Sequence, residues 1–218
     1  MGKKGQFVPA LGFHRLTRFF DPLVRSTMLE QKLKKILLQQ AHIANDEVML
    51  DFGCGTGTLA VMAKKAAPKA IIHGVDVDPN ILKIAHNKVK SSHLDIFLSY
   101  YDGTFLPYDD KMFHKVLSSL VFHHLSRDQK NASLKEIYRV MKTGGELHIL
   151  DFGKAGSILM RILFLPNQIL DGFVNTSDNV KGLLPDIIRS NGFTSVEEYH
   201  RRSTVFGTIS FLRAVKKR

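Results

Sequence analysis

Cysteine is nearly absent from this chain, whose 218 residues include one, Cys54. A single thiol cannot form an intrachain disulfide, and it cannot supply the several thiolates that a cysteine metal cluster needs. We therefore predict no disulfide and no metal site, and we expect a reducing cytoplasm as the compartment.

Long apolar runs are also missing. The stretch from Ile158 to Pro166 is apolar, but Arg161 and Pro166 interrupt it well short of the about 20 residues that span a bilayer. No continuous apolar segment follows Met1–Gln6, so no secretory signal is predicted. The 44% hydrophobic and 23% charged residues are typical of a globular domain.

Acidic residues are too few to balance the basic ones. They number 20 against 31, which gives a net charge of +11. The excess concentrates at the two ends, in residues 1–42 and in the last 20 residues. Such charge indicates an anionic partner, or only a solubilising surface. No RNA-binding motif accompanies it, so nucleic acid is not the expected partner.

A glycine-rich loop follows a predicted buried strand near residue 50. The strand is Val48–Phe52, and Gly53, Gly55 and Gly57 come after it at every second position. Glycine lets the backbone turn sharply into a helix and approach a ligand closely. Together with the helical pattern from Thr58 to Ala67, the loop predicts the first half of a nucleotide-binding α/β unit.

Carboxylates end two further apolar runs. Ile71–Val75 ends in Asp76, where a carboxylate can accept hydrogen bonds from both ribose hydroxyls of a nucleotide. Ile96–Tyr101 ends at Asp102, which alone would be interpreted as part of a turn. Because parallel strands end at one edge of their sheet, we expect both acids to lie there with Asp51.

Local signals place the helices and the remaining strands. Asp78 and Pro79 are interpreted as the N-cap and first residue of a helix, and Ser126 with Gln129 as a capping box. Further strands and one helix are predicted from the apolar patterns. The strands are Met112–Val121, Glu146–Phe152 after a turn at Lys142–Gly145, Ser195–Thr204 and Thr208–Lys216, and the helix surrounds Leu183–Ile188.

The order acid, x, Gly, x, Gly, x, Gly fits the dinucleotide fingerprint imperfectly, because Thr58 stands where its third glycine belongs. It resembles instead the first motif of Rossmann-like methyltransferases that use S-adenosylmethionine (SAM). Over roughly residues 22–153 the chain resembles their ubiquinone/menaquinone C-methyltransferase-like branch. The segments that carry this resemblance are Leu50–Gly57, Val75–Asp76, Leu106–Tyr108, Phe122–Leu125 and Arg139–Leu147.

The resemblance implies an α/β fold: a Rossmann-like, seven-stranded, mostly parallel sheet with helices on both faces and an antiparallel C-terminal strand. It also implies SAM as cofactor, with Asp51 near its amino group, Asp76 at the ribose and Asp102 at the adenine amino group. The predicted cofactor-binding residues are Asp51, Gly53, Cys54, Gly55, Thr56, Gly57, Asp76, Val77, Asp102, Gly103 and Ser119.

His123 and His124 are the candidate catalytic residues. They follow the fourth strand, close to where the methyl group of SAM should emerge. A general base is needed only where the acceptor must first lose a proton, as a phenol or quinol does. Packing or capping at the helix start is the alternative for each, and we expect at most one of them to face the pocket.

The chain departs from the family pattern in two places. His114 stands where these sequences usually carry an acid, and residues 155–173 have no familiar signature.

Two other substrate specificities are disfavoured by the sequence. One cysteine cannot hold arsenic for arsenite methylation, and Ser119–Phe122 lacks the Asn/Asp-Pro-Pro-aromatic motif of enzymes that methylate nucleic-acid amino groups.

We expect one domain with four parts. Residues 1–42 form a basic N-terminal helical segment, 43–153 the SAM-binding core, 154–178 a lid or substrate insertion, and 179–218 a C-terminal helix and hairpin. The first part has apolar residues at helical spacing, so its helix can cover the pocket, lie on an anionic membrane or pack on the core. These residues are Met28, Leu29, Leu33, Ile36 and Leu37.

The apolar insertion favours a small lipophilic methyl acceptor of quinol type, although ordinary core packing would also explain it. A phospholipid N-methyltransferase is the nearest alternative, since it would share the fold and the apolar insertion without needing a strong base. A basic module that retains SAM and binds RNA is the alternative from another class. The sequence does not determine the oligomeric state.

Overall fold

The computed structural model describes residues 28–204 and 206–217. Seven strands, eight α-helices and one 3-10 helix, Phe122–His124, occupy these residues. The strands are β1 (Val48–Phe52), β2 (Ile71–Asp76), β3 (Ile96–Tyr100), β4 (Phe113–Ser119), β5 (Met141–Phe152), β6 (Phe193–Thr204) and β7 (Gly207–Lys216). The helices are α1 (Met28–Ala41), α2 (Thr58–Ala66), α3 (Pro79–Ser91), α4 (Arg127–Val140), α5 (Ile158–Leu163), α6 (Leu165–Asp171), α7 (Phe173–Lys181) and α8 (Leu184–Ser190).

All seven strands form one sheet in the order β3-β2-β1-β4-β5-β7-β6. The five strands β1 to β5 run parallel, and β7 is antiparallel to both of its neighbours. Parallel neighbours need crossover connections, and α2, α3 and α4 supply three of them. The predicted Rossmann-like, mostly parallel sheet with an antiparallel C-terminal strand is confirmed.

Alternate residues of the central strands serve two separate cores, because successive side chains of a strand point to opposite faces. Leu50, Val116 and Ile149 belong to a core that includes buried residues of α4 and α8. Their neighbours Met49 and Leu117 belong to a second core, which includes α1 and α2. Helices therefore cover both faces, and the strands are apolar on both, as parallel strands should be.

The predicted helix caps are present. Asp78 accepts hydrogen bonds from the backbone N–H groups of Asn80, at 2.8 Å, and Ile81, with Pro79 in the first turn. Ser126 forms the reciprocal capping box with Gln129. Both caps satisfy N–H groups that have no partner inside the helix, so each helix start was readable from the sequence.

The bounds of β4 and β5 differ most from the prediction, while β3, β6 and β7 differ from it by one or two residues at one end. β4 is shorter than Met112–Val121 because the chain turns at Leu120, whose φ is 60°. β5 is longer than predicted, because the expected turn at Lys142–Gly145 lies inside the strand. It forms an irregularity in the pairing with β4, between the pair of Met141 with Phe113 and the pair of Glu146 with Lys115. The glycines there let the strand bulge and then resume pairing.

His114 performs a structural task at the start of β4. Its Nδ1 accepts a hydrogen bond from the backbone N–H of Val48 at 2.9 Å, which ties the starts of β4 and β1 together. An imidazole nitrogen and a carboxylate oxygen can both accept such a bond. The departure from the family's usual acid therefore keeps an acceptor at this position.

Helix α1 packs on the sheet, as one of the three interpretations of the N-terminal segment expected. Leu33 and Leu37 are buried in the second core, while Lys32 and Lys35 are exposed. The rest of that segment, residues 1–27, lies outside the described residues. None of the helices in the described part of the chain is both long enough and apolar enough to cross a membrane.

Replacing Leu37 by Ala tests how α1 is held. Leu37 is fully buried, so we expect Leu37→Ala to lower the free energy of unfolding by about 2–5 kcal/mol. Gln39→Ala, on the exposed face of the same helix, is the control and should change it by less than about 0.5 kcal/mol. Urea denaturation measures both, and equal small effects would show that α1 is not docked in solution.

Candidate functional site

The glycine-rich loop between β1 and α2 has an open side. Gly53 and Gly55 have positive φ values of 70° and 53°. A Cβ atom added to Gly53 would lie 2.4 Å from Val121, whereas one added to Gly55 would meet no described atom within 4 Å. The backbone of Gly55 therefore faces open space, as expected of a loop that a ligand approaches.

Asp76, at the end of β2, holds this loop in place. Its Oδ2 accepts a hydrogen bond from the N–H of Gly55 at 2.8 Å, and its Oδ1 accepts one from Asp78 at 3.0 Å. Burial raises the pKa of Asp76, although these backbone donors oppose the shift. Its carboxylate thus lies beside the open side of the loop, where the ribose of SAM was expected.

Asp51 is more deeply placed than its predicted role suggested. It is 1% exposed, and its Oδ2 accepts a hydrogen bond from the N–H of Ala60 in the first turn of α2. Burial raises the pKa of Asp51 to about 7, against the opposing charge of Lys34 on α1. The carboxylate fastens α2 to β1, and its contact with the SAM amino group stays a prediction.

The other residues of the loop contact the protein's own groups. Cys54 is buried against Gly74, and burial raises the pKa of its thiol well above the ordinary value. Thr56 accepts a hydrogen bond from Lys88 Nζ at 2.8 Å, and Gly57 is the N-cap of α2. The backbone of Cys54 is also paired, since its N–H donates to the Val75 carbonyl and its carbonyl accepts from the Gly57 N–H, both at 2.9 Å. The predicted contact of Cys54 with the cofactor stays a prediction.

Asp102 lies on the surface just beyond β3. Its Oδ1 accepts hydrogen bonds from the backbone N–H groups of Thr104 and Phe105, and from the Thr104 hydroxyl, which lowers its pKa. Gly103 has a φ of 86°, and a Cβ added there would lie 3.8 Å from Val77. Asp102 thus forms the turn that Asp-Gly favours, and its predicted contact with adenine stays a prediction.

Ser119 ends β4 with a buried hydroxyl that finds no hydrogen-bond partner among the described residues. Buried polar atoms are nearly always paired, so an unpaired one indicates a ligand or water. The orphaned hydroxyl, the open face of Gly55 and the carboxylate of Asp76 lie at the carboxyl edge, where α/β sheets bind nucleotides. These residues fit SAM.

His123 is buried and bound to an acid from the next strand. It is 3% exposed, and its Nδ1 donates to Asp151 Oδ1 at 2.7 Å. Asp151 Oδ2 also accepts the backbone N–H of His123 at 3.3 Å. The pair forms because β4 and β5 are adjacent, which places the segment after Ser119 beside the end of β5.

A second acid reaches the two histidines from the insertion. Asp171, the last residue of α6, lies 3.2 Å from His124 Nδ1 and 3.7 Å from His123 Nε2. The centroids of the two imidazole rings are 3.9 Å apart. Two acids and two histidines therefore form one cluster, in which Asp171 links the insertion to the core.

The cluster gives its two histidines different protonation behaviour. Burial alone would lower the pKa of His123, but Asp151 and Asp171 outweigh it and raise the pKa above the ordinary value. Burial and the neighbouring His123 lower the pKa of His124. For Asp151, burial would raise the pKa, but the charge and hydrogen bond of His123 lower it. The Asp151–His123 pair is thus able to hold a proton near neutral pH.

Sequence reasoning missed Asp151 and Asp171. Asp151 carries the same signal that identified Asp76, since it stands near the end of a parallel strand in the segment Leu150-Asp151-Phe152. Asp171 carries no comparable signal, because its segment has no recognisable motif.

The expectation that the chain holds no metal ion stays a prediction.

Comparison with known proteins supports the fold and the enzyme class. Residues 49–145, from β1 to the bulge in β5, match the model of a family described as a methyltransferase domain. The chain carries a class I methyltransferase domain. SAM-dependent methyltransferases are among the solved structures of similar fold, in agreement with the predicted cofactor. The chain resembles the ubiquinone/menaquinone biosynthesis C-methyltransferases. The predicted enzyme class, a methyltransferase, is confirmed.

Two curated relatives and one solved structure illustrate the resemblance. The ubiquinone/menaquinone biosynthesis C-methyltransferase of Blochmanniella floridana is 30% identical over 70% of this chain and 61% of its own length. The demethylmenaquinone methyltransferase of Thermus thermophilus is 32% identical over 65% of this chain and 66% of its own length. A SAM-dependent methyltransferase of Aquifex aeolicus has the same fold, with a TM-score of 0.67, 18% identity, and coverage of 92% of this chain and 96% of that one. The chain thus spans about three fifths of the first of these relatives.

Replacing Asp76 tests the cofactor site. Asp76→Asn removes a charged acceptor beside the open loop, so we expect SAM affinity to fall about 10- to 100-fold, in line with the loss of one or two charge-assisted hydrogen bonds. Asp109→Asn, an exposed acid in a neighbouring loop, is the control and should bind like wild type. Calorimetric titration measures both, and equal affinities would exclude Asp76 from the cofactor site.

The raised pKa of Asp51 predicts a pH-dependent stability in the absence of cofactor. Between the ordinary value of 3.8 and about 7, folded Asp51 keeps a proton that the unfolded chain releases. Asp51 therefore makes its full contribution to the free energy of unfolding at low pH. This contribution falls by up to about 1.4 kcal/mol per pH unit and is lost as the pH rises through about 7. Asp51→Asn should flatten this part of the curve in urea denaturation; an unchanged slope would contradict the assignment.

Proposed function

We propose that this protein transfers a methyl group from SAM to a small lipophilic acceptor of quinol type. The observation that supports this most directly is the Asp151–His123 pair, placed at the carboxyl edge of the sheet and reached by Asp171 from an apolar insertion. In this proposal the residue ranges expected from the sequence keep their roles, with 43–153 as cofactor core and 154–178 as acceptor segment.

The cofactor would be held by the loop and by two strand ends. Asp76 would accept the ribose hydroxyls, the backbone at Gly55 would leave room for the methionine part, and the Ser119 hydroxyl would gain its missing partner. When bound, SAM supplies a methyl group on a cationic sulfur, which is already electrophilic. The protein's main task is then to align the acceptor with that bond, and such positioning can supply roughly 7–11 kcal/mol of the barrier.

His123 is the base in this proposal. Asp151 holds its Nδ1–H, which leaves Nε2 as the nitrogen that accepts a proton from the acceptor hydroxyl. The raised pKa of His123 means that it keeps the proton firmly once it has taken it. Asp171, 3.7 Å from Nε2, stabilises the imidazolium that forms. The general-base role belongs to His123, while His124 keeps Asp171 in place.

An aromatic wall beside the histidines supports a ring-shaped acceptor. The Phe152 ring meets His123 edge-on, with centroids 4.9 Å apart, and Phe164 of the insertion lies 4.6 Å from Phe152. Such offset and edge-on contacts are those that aromatic rings prefer with one another. The relatives named for quinone biosynthesis agree with this chemistry.

Phospholipid N-methylation remains the alternative acceptor chemistry. It uses the same fold and an apolar segment, and the exposed apolar side chains of α5 to α7 would suit it equally well. An amine acceptor needs no strong base, however, so the buried Asp151–His123 pair would have no task in the reaction. That pair is the observation that favours the quinol.

The experiment that tests the function combines purified protein, methyl-labelled SAM and a fresh cell extract, followed by partition between organic solvent and water. Label in the organic phase is the expected result, and mass spectrometry of the product then separates a methylated quinol from a methylated phospholipid. Label confined to the aqueous phase would overturn the lipophilic acceptor and direct the search to polar metabolites or RNA.

The pH profile of turnover tests the base. Since neutral His123 accepts the proton, kcat should rise with pH through its raised pKa. Asp151→Asn removes an acid that raises the pKa of His123. We therefore expect the increase in kcat to occur at lower pH in this variant, and the maximal kcat to be lower than in wild type. His123→Asn should lower kcat about 100-fold or more with little effect on SAM affinity.

The control for these variants is His86→Asn, which changes an exposed histidine of α3 and should turn over like wild type. An unchanged kcat in His123→Asn would exclude the general-base role. A rise in kcat that stays at the same pH in Asp151→Asn would show that Asp151 does not set the pKa of His123.

A further inference from the structure

Exposed apolar side chains concentrate in the insertion. Among the described residues, thirteen large hydrophobic side chains are exposed, and seven of them lie between residues 158 and 174. Several are almost fully in solvent, with 82% of Ile158 and 79% of Val174 exposed. We call these seven the apolar face: Ile158, Leu159, Ile162, Leu165, Ile169, Phe173 and Val174.

The apolar face lies on three short helices, of which α6 and α7 are held by buried residues, while α5 has no buried residue of its own and is followed directly by the buried Phe164. Ile158 and Ile162 are one turn apart on α5, and Leu165 and Ile169 one turn apart on α6, so each pair shares a side of its helix. The inner side is buried at Phe164, at Gln168 and at Thr176. Gln168 donates to Thr176 at 2.9 Å, and Asn179 of α7 donates to the Phe152 carbonyl at 2.9 Å. The outward direction of the apolar side chains is therefore a property of the fold.

The charges around the apolar face have one sign toward solvent. Lys154 and Lys181 are exposed, and they lie close together because the Lys154 side chain packs on Gly182. The acids of the insertion turn inward instead. Asp171 contacts the histidines, and Asp178 pairs with Arg127 and with Lys130. An apolar surface flanked by exposed ammonium groups is complementary to an anionic lipid surface.

We propose that the apolar face seats in the interfacial layer of a bilayer that contains anionic phospholipid, with Lys154 and Lys181 among the headgroups. Short helices with apolar outer sides and flanking lysines bind in this way without crossing the membrane. The face belongs to the same segment that carries Asp171 to His123, so a docked protein would hold its acceptor site at the membrane surface. Docking itself depends on the surface alone and does not rest on the acceptor proposed above.

Vesicle sedimentation of the full chain tests the docking, with vesicles of phosphatidylcholine alone and of phosphatidylcholine mixed with phosphatidylglycerol. We expect binding to the mixed vesicles that weakens as salt is added, and much weaker binding to phosphatidylcholine. The variant Ile158→Ser/Val174→Ser should bind at least about tenfold more weakly, because both side chains would leave the lipid. Lys154→Gln/Lys181→Gln should lose about fivefold per charge.

The matched control is Ile84→Ser/Phe97→Ser, which removes two apolar side chains that are exposed elsewhere, on α3 and β3. It should bind vesicles like wild type. Ile158→Ser/Val174→Ser should keep the wild-type melting temperature, because both side chains are about four fifths exposed.

Three outcomes would overturn the proposal. Binding that the Ile158→Ser/Val174→Ser change leaves intact would assign it to another basic part of the chain, such as residues 1–27. A wild-type dimer that this change dissociates, seen by sedimentation velocity without lipid, would make the apolar face an interface between two copies. Absence of binding to the mixed vesicles would exclude a lipid surface. Because no SAM or acceptor is present, these results stand whatever the methylation assay shows.

Discussion

The parallel pairing of β1 with β2 and β4, and of β4 with β5, is the constraint on which the rest of the structure depends. Parallel strands bring all of their carboxyl ends to one edge, where the chain must leave the sheet through a loop. Residues far apart in sequence therefore become neighbours, such as Asp76 with Gly55 and Asp151 with His123. The same pairing buries both faces of the central strands, so a ligand can reach these strands at the carboxyl edge of the sheet and not at its faces.

Charged groups buried at that edge need partners, because burying an isolated charge is costly. The chain meets this need in two ways. Asp76 accepts hydrogen bonds from the backbone N–H groups of Gly55 in the loop and of Asp78 after β2, which fits a group that also faces a ligand. Asp151 is paired with an imidazole, so the buried pair can exchange a proton while staying compensated. The first arrangement is suited to binding and the second to proton transfer.

The insertion after β5 links chemistry to surface. On its inner side, Asp171 contacts the two histidines and Phe164 packs on Phe152, while its outer side presents Ile158 and Val174 to solvent. Short helices can serve both purposes, because three or four residues of each turn point to different sides. The sequence pattern marked this segment as apolar, but apolar content alone does not distinguish an inner side chain from an outer one.

Local signals in the sequence determined the elements and the cofactor edge. Short apolar runs placed the strands, Asp78 and Ser126 placed two helix starts, and the loop from Gly53 to Gly57 with Asp76 marked the nucleotide edge, because each signal acts within a few residues. Contacts between distant segments were decided only by the tertiary structure. Three features depend on which strands are adjacent and how the insertion folds back, and no local pattern encodes that adjacency. They are the burial of Asp51 near the charge of Lys34, the bulge at Lys142–Gly145, and the meeting of His123 with Asp151 and Asp171.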